Sequence, residues 1–259
     1  MDLMYTLSGF LVGLIVGVTG VGGGSLMTPL LVLLFGISPA TAVGTDLLYA
    51  SLTKSVGGWV HGRHGTVAWR VVALLATGSL PAAACTVVVL RHLALDEQSL
   101  HHVVTSVLSV ALLLTALALL FKEQIRKLAQ RPDGTVHELH HRYLDAATIL
   151  TGVLVGVLVT LSSVGAGVLG TVALLFLYPR MPTVRIVGTD IAHAVPLTAV
   201  AGLGHLALGT VDLTLLLSLL LGSLPGIYIG SHLSARLPEL VLRRMLAVML
   251  LIIGIRMLA

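Results

Sequence analysis

Val43-Gly44-Thr45-Asp46 recurs as Val187-Gly188-Thr189-Asp190, 144 residues downstream. The same spacing returns Gly65-Thr66-Val67 as Gly209-Thr210-Val211, Gly78-Ser79-Leu80-Pro81 as Gly222-Ser223-Leu224-Pro225, and His61 as His205. With the spacing shortened by one, Gly9, Gly13, Gly22, Gly24 and Thr28 match Gly152, Gly156, Gly165, Gly167 and Thr171. Both copies are strongly apolar. Two membrane repeats, each interrupted by glycines, form the sequence pattern of a secondary transporter.

The 259 residues are 56% hydrophobic and 10% charged, with a mean hydropathy of +1.03. A soluble domain carries roughly 25% charged residues because its surface faces water. Uncharged runs here reach the roughly 20 residues a helix needs to cross a hydrocarbon core. The alternating 10-residue segments of a membrane β-barrel are absent. The expected fold is therefore an all-α membrane protein, a polytopic bundle of two inverted repeats embedded in a lipid bilayer. Its N-terminus has no basic n-region and reads as a membrane segment, not a cleaved signal. The single Cys85 cannot form an intrachain disulfide and reads as a small packing residue. A pI near 9.6 reflects basic loops that report orientation, and no nucleic-acid partner is expected.

The first repeat (1–121) divides into apolar runs at about 5–20 and 25–35, separated by Val21-Gly22-Gly23-Gly24. Three helices follow at about 39–61, 67–90 and 98–121. Residues 122–143 form the one long polar stretch and read as a cytoplasmic linker. The second repeat (144–259) has the same order, broken at Gly165-Ala166-Gly167, with helices at about 182–206, 211–235 and 240–258. Each half of a broken segment is short for a full crossing, yet end to end the two halves overshoot the core. A re-entrant hairpin or a steeply tilted broken helix would reconcile this. Hairpins invert the second repeat and place 12 of the 15 Lys and Arg on the inner side, with Arg91 and Arg256 outside and Lys54 in the membrane. Full crossings give 8 against 6, so the positive-inside rule favours hairpins.

The glycine breaks permit tight turns and bring bare backbone close to a ligand. Each break is followed by a short helix whose N-terminal N–H groups and positive dipole end face the turn. Inversion would bring two such ends together and make an anion site. The expected binding residues are Thr19, Gly22, Gly23, Gly24, Ser25, Ser162, Ser163, Gly165, Ala166 and Gly167. Close packing through small residues would use the same glycines.

Asp46 and Asp190 lie about two turns past a helix-opening proline, where an ionisable group is costly and points to function. Two readings stay open: coupling of a proton or cation to anion movement, or, with the preceding Thr45 and Thr189, hydrogen bonding that holds the glycine turns open. Lys54 is the one lysine inside a helix core; it either lines an anion path or snorkels to the inner surface. His193, one turn beyond Asp190, could relay protons or simply hydrogen-bond. Pro81, Pro196 and Pro225 are expected to kink their helices. His137, His140 and His141, with Glu138, have helical spacing but no second ligand cluster, so they read as a solvated loop with no metal. No clustered acid, base and nucleophile suggests an enzyme, and no cofactor is implied. A homo-oligomer remains compatible with the sequence. A nickel or cobalt carrier using Asp46, Asp190, His193 and the loop histidines is the rival reading, with an anion channel behind it.

The chain resembles the sulfite exporter TauE/SafE family, also called the 4-toluene sulfonate uptake permease family. The resemblance rests on its length, the opening glycine series Gly9 to Gly24, the P-A-x-A-x-x-T-D pattern at Pro39 to Asp46, and the doubled G-S-x-P. It implies a bacterial inner-membrane carrier of sulfite, sulfoacetate or other organosulfonates, coupled to an ion gradient. The second break departs from the pattern, with Ala166 where the first has Gly23 and Thr160 where it has Gly17.

Overall fold

The computed structural model describes residues 3–19, 24–93, 97–129, 134–165, 167–234 and 239–258. These form α1 (Leu3–Thr19), α2 (Gly24–Phe35), α3 (Pro39–Arg63), α4 (Trp69–His92), α5 (Glu97–Ala129), α6 (Gly134–Ser162), α7 (Val168–Leu177), α8 (Thr183–Ala207), α9 (Leu213–Ser234) and α10 (Glu239–Leu258), with no strand among the described residues. Local chemistry sets several ends. Gly36, at φ 64°, lies just beyond α2, and Pro39 opens α3 behind Ser38, whose hydroxyl accepts from the Thr41 amide. Gly65 and Gly209 take equivalent positive φ angles after α3 and α8. The His61 ring meets the Thr66 hydroxyl at 2.8 Å, and His205 meets Thr210 at the same distance. Pro81, Pro196 and Pro225 sit inside helices, as does Pro29. The polar stretch 122–143 is mostly helical, because α5 runs to Ala129 and α6 starts at Gly134. The expected loop around His137, His140 and His141 is thus helical in backbone, and those side chains lie outside the described residues.

Both broken segments are hairpins. The Tyr5 ring, near the start of α1, packs edge-on against Phe35 at the end of α2, 5.2 Å between centroids. The residues 143 positions on, Thr148 and Tyr178, hydrogen-bond through their hydroxyls at 2.8 Å. Entry and exit of each segment are therefore level with one another. The depth of the second tip follows from α4, which runs parallel to α6. Arg70, at the start of α4, pairs with Asp145, about three turns into α6. Further along, Gly152 abuts Leu75 and Gly156 abuts Ser79. In that register Ser162 lies about two turns, roughly 10 Å, short of the end of α4.

The two repeats are inverted. In α3 and α8, Leu48 packs on Gly202, Ser51 bonds the Val195 carbonyl, and His61 packs on Gly188, so the pair runs antiparallel. Equivalent helices that oppose each other in this way are related by a twofold axis across the helix direction. The exchange extends outward, since α1 packs on α9 of the other repeat and α6 on α4. Gly9 and Gly13 meet the Leu219 and Ser223 backbones, and Gly152 and Gly156 meet those of Leu75 and Ser79. Small residues let these helix backbones touch, which is how helices associate in lipid without a hydrophobic driving force. The outer surface is apolar, with Leu114, Leu150, Leu154, Leu217, Leu221 and Ile252 all exposed.

This topology makes a direct prediction. In a Cys85→Ser background, single cysteines at His64 and Arg180, both exposed, should react with an impermeant maleimide from the same side of the membrane, and a cysteine at Leu93 from the other. Labelling of the Arg180 and Leu93 positions from one side would require full crossings and remove the hairpins.

Candidate functional site

Asp46 and Asp190 sit at equivalent points of α3 and α8, with 0% and 2% of their surface exposed. Thr28 Oγ1, on α2, donates to Asp46 Oδ2 at 2.5 Å. Thr171 Oγ1, on α7, donates to Asp190 Oδ2 at 3.0 Å. Each carboxylate thus ties the returning arm of its own hairpin to the spanning helix behind it. The Asp190 carboxylate also lies directly against Gly170, where any Cβ would collide with Oδ1. The equivalent position in the first repeat is Met27, so the two half-sites are not identical.

The threonines before the aspartates reach across to the opposite repeat. Thr45 Oγ1 accepts from the Asp212 amide at 3.1 Å, and Thr189 Oγ1 from the Ala68 amide at 2.9 Å. They hold the N-terminal ends of α9 and α4, in the opposite repeat. The reason is the open amides at a helix start: Ala68 offers α4 no side-chain cap, and Thr189 fills that role from across the twofold.

At the second hairpin tip, Ser162 is committed to its own turn. Its hydroxyl donates to the Leu158 carbonyl at 2.7 Å and accepts from the Val164 amide at 3.2 Å. Ser163 adopts φ 56°, the only non-glycine positive φ among the described residues. That conformation is costly for a residue with a Cβ, and such costs gather at functional sites. Its hydroxyl is buried beside the Asp46 carboxylate. Gly165 and Gly167 take φ 114° and 153°, and Gly167 starts α7 without a side-chain cap. Of the first tip, Gly22 and Gly23 lie outside the described residues, as do Ala166 and the side chains of Thr19 and Ser25; Gly24 opens α2.

Lys54 does not snorkel. It is 8% exposed, and its charge acts on Asp190 first and on Asp46 second, because two buried carboxylates give an ammonium a better environment than a long reach to water. His193 is buried with Nε2 2.8 Å from the Ser79 hydroxyl, a bond between α8 and α4. His205 Nε2 donates to the Thr160 carbonyl near the end of α6 at 2.9 Å. Among the described residues no three His, Cys, Asp or Glu side chains converge as metal ligands would.

Several participants were not singled out from sequence. Thr28 and Thr171 are matched repeat positions, and that signal was on the page. Ser79 belongs to the doubled G-S-L-P. Tyr49 had no such signal, because its repeat partner is His193; its hydroxyl is buried near Ser223 without a hydrogen-bond partner among the described residues.

Two inverted repeats, each with a re-entrant hairpin closing on a buried charged centre, define a polytopic helical membrane protein with the architecture of a transporter. The chain belongs to the sulfite exporter TauE/SafE family, whose model matches residues 5–257. It is 38% identical over 257 residues to the probable membrane transporter protein YjnA of Bacillus subtilis (strain 168), covering 99% of this chain and all of that one. The probable membrane transporter protein YdhB of the same organism is 27% identical over 90% of this chain and 91% of its own length. A probable membrane transporter protein of Xylella fastidiosa (strain 9a5c) is 29% identical over 88% and 83%. No solved structure matches.

Proposed function

We propose that this protein is a secondary transporter of small sulfur-containing anions, such as sulfite, sulfoacetate or another organosulfonate, in the bacterial inner membrane. The repeats would rock against each other around the hairpin tips, giving alternating access coupled to an ion gradient. One observation carries the reading: Thr28 of the first hairpin donates to Asp46, and the buried Ser163 hydroxyl of the second lies beside the same carboxylate, so the two re-entrant segments come together at one buried point. The Thr28 and Ser163 hydroxyls and the Lys54 charge bear on that point, and the second tip leads into an α7 start without a side-chain cap, all groups that favour an anion in a dry interior. The family supplies the sulfur chemistry; the helix ends and the lysine supply the preference for negative charge.

The test is flux into proteoliposomes containing the full chain, with sulfite, sulfoacetate, sulfate and chloride compared under imposed pH gradients. Saturable uptake of a sulfur oxyanion that exceeds chloride uptake is the expected result. Absence of saturable anion flux under every gradient would overturn the anion reading, and currents of single-channel size would replace a carrier with a channel.

A further inference from the structure

The buried centre holds two carboxylates and one ammonium. With all three ionised it carries a net charge of −1 in a region where an uncompensated charge is expensive. One proton on one aspartate removes that charge, and departures from the twofold symmetry choose which aspartate takes it. At Asp190 the partner is Lys54, whose charge acts there more strongly than at Asp46. The residue matching Lys54 is Thr198, which is turned back on the Ala194 carbonyl of its own helix. At Asp46 the partners are hydroxyls. Thr28 holds Oδ2, while Oδ1 has no hydrogen-bond partner among the described residues. Beside it is Ser163, whose buried Oγ is likewise unpartnered. Asp46 is fully buried and Ser163 is 2% exposed. A fixed ammonium stabilises only the carboxylate form of its neighbour. A hydroxyl serves both forms, donating to the anion and accepting from the acid.

We propose that Asp46 is the proton carrier of this transporter and Asp190 the permanent counter-ion of Lys54. Oδ1 takes a proton from water when the centre opens to one side, and the resulting O–H donates to Ser163 Oγ. When the centre opens to the other side, the proton leaves to water and the Ser163 O–H turns to donate to the carboxylate. Ser163 is a positioning residue, held toward Asp46 by its left-handed backbone. Among the described residues, Lys54 and Tyr49 are the other charged or titratable groups acting on Asp46, with Asp190 and His193 of α8 grouped around Lys54. Toward the end of α3 where it begins lie His205, packed on Gly44, and Asp212, bonded through its amide to Thr45. The neighbouring parts of α5, the turn after α6, and α9 bring apolar side chains such as Leu112, Val164 and Leu219. The assignment rests on the transporter reading but not on the identity of the anion.

Infrared spectra of the purified full chain in lipid nanodiscs at neutral pH test it without any substrate. The wild type should show a protonated-carboxyl C=O band that shifts in D2O. Asp46→Asn should abolish the band. Ser163→Ala, which leaves the backbone requirement unchanged, should move it to higher frequency because the acid loses its acceptor. A band unmoved by Ser163→Ala, a band surviving Asp46→Asn, or no band in the wild type would each overturn the proposal. In proteoliposomes, accumulation of sulfite or sulfoacetate driven by a pH gradient should be lost in Asp46→Asn; sodium-driven accumulation with no pH dependence in the wild type would also overturn the proposal. If the band behaves as expected and neither anion is moved, the cargo reading fails and the proton site stands.

Discussion

Gly222→Val is expected to be the most damaging of the glycine substitutions at the helix contacts. A Cβ at this position would run into the Thr6 carbonyl oxygen and the Phe10 amide of α1. Main-chain atoms inside a helix cannot swing aside as a side-chain tip can, so α1 and α9 must separate along their length. Overpacking of this kind costs up to about 3 kcal/mol, and a chain of this size then melts roughly 10 °C lower. The loss reaches function as well, because α1 carries the first hairpin into the membrane and its docking on α9 sets the level of the turn. Gly78→Val should behave alike at the symmetric contact, where the Ile149 carbonyl and the Val153 amide of α6 stand in the way. The control is Gly57→Ala in α3, where the nearest atom is the Ile191 Cγ2 methyl at 3.5 Å. That change should be neutral or stabilise by about 0.5–1 kcal/mol through helix propensity alone. Thermal melts in one detergent, read by tryptophan fluorescence, separate these outcomes. Equal melting of Gly222→Val and wild type would mean that α1 and α9 do not touch as described.

Lys54→Met should have the largest effect at the charged centre. It preserves the length of the side chain and removes the cation that Asp190 and Asp46 share. Removing one charge from a buried cluster of opposite charges can cost about 3–5 kcal/mol, since the remaining charge is left without compensation. Anion flux should fall at least tenfold in the same variant. Adding Asp190→Asn to Lys54→Met should recover most of the lost stability and little of the flux, because neutralising the orphan repairs the fold without restoring the cation. Asp46→Asn in the same background should recover less, as Lys54 acts on Asp46 more weakly. A double-mutant cycle on melting temperature and initial flux measures both quantities. Wild-type stability and flux in Lys54→Met would show that the lysine is not electrostatically tied to the carboxylates.

The sequence made the helices legible because each is an apolar run closed by a recognisable signal: Ser38-Pro39 before α3, Gly65 and Gly209 after α3 and α8. It also marked Asp46, Asp190 and Lys54, since a charge inside an apolar run is conspicuous. The roles of Thr45 and Thr189 were not legible. Their partners lie 167 and 121 residues away in the chain, and a threonine beside an aspartate gives no hint that it faces a different helix. Ser163 was expected as a donor beside the turn, but its backbone conformation could not be foreseen, because a left-handed serine is imposed by the surrounding turn. Tyr49 was invisible for a further reason: the repeat that revealed its neighbours places a histidine at the matching position.

From the residues alone came the membrane class, the doubling, the positions of the breaks and the family, because hydropathy and internal repetition are properties of the chain in order. Packing decided that the broken segments turn back, since the Tyr5–Phe35 and Thr148–Tyr178 contacts place the two ends of each segment at one level. Packing also decided that the repeats are exchanged partners, α1 with α9 and α6 with α4. Finally, it set the two aspartates apart from each other, because one lysine on one side of a twofold axis can serve both carboxylates only unequally.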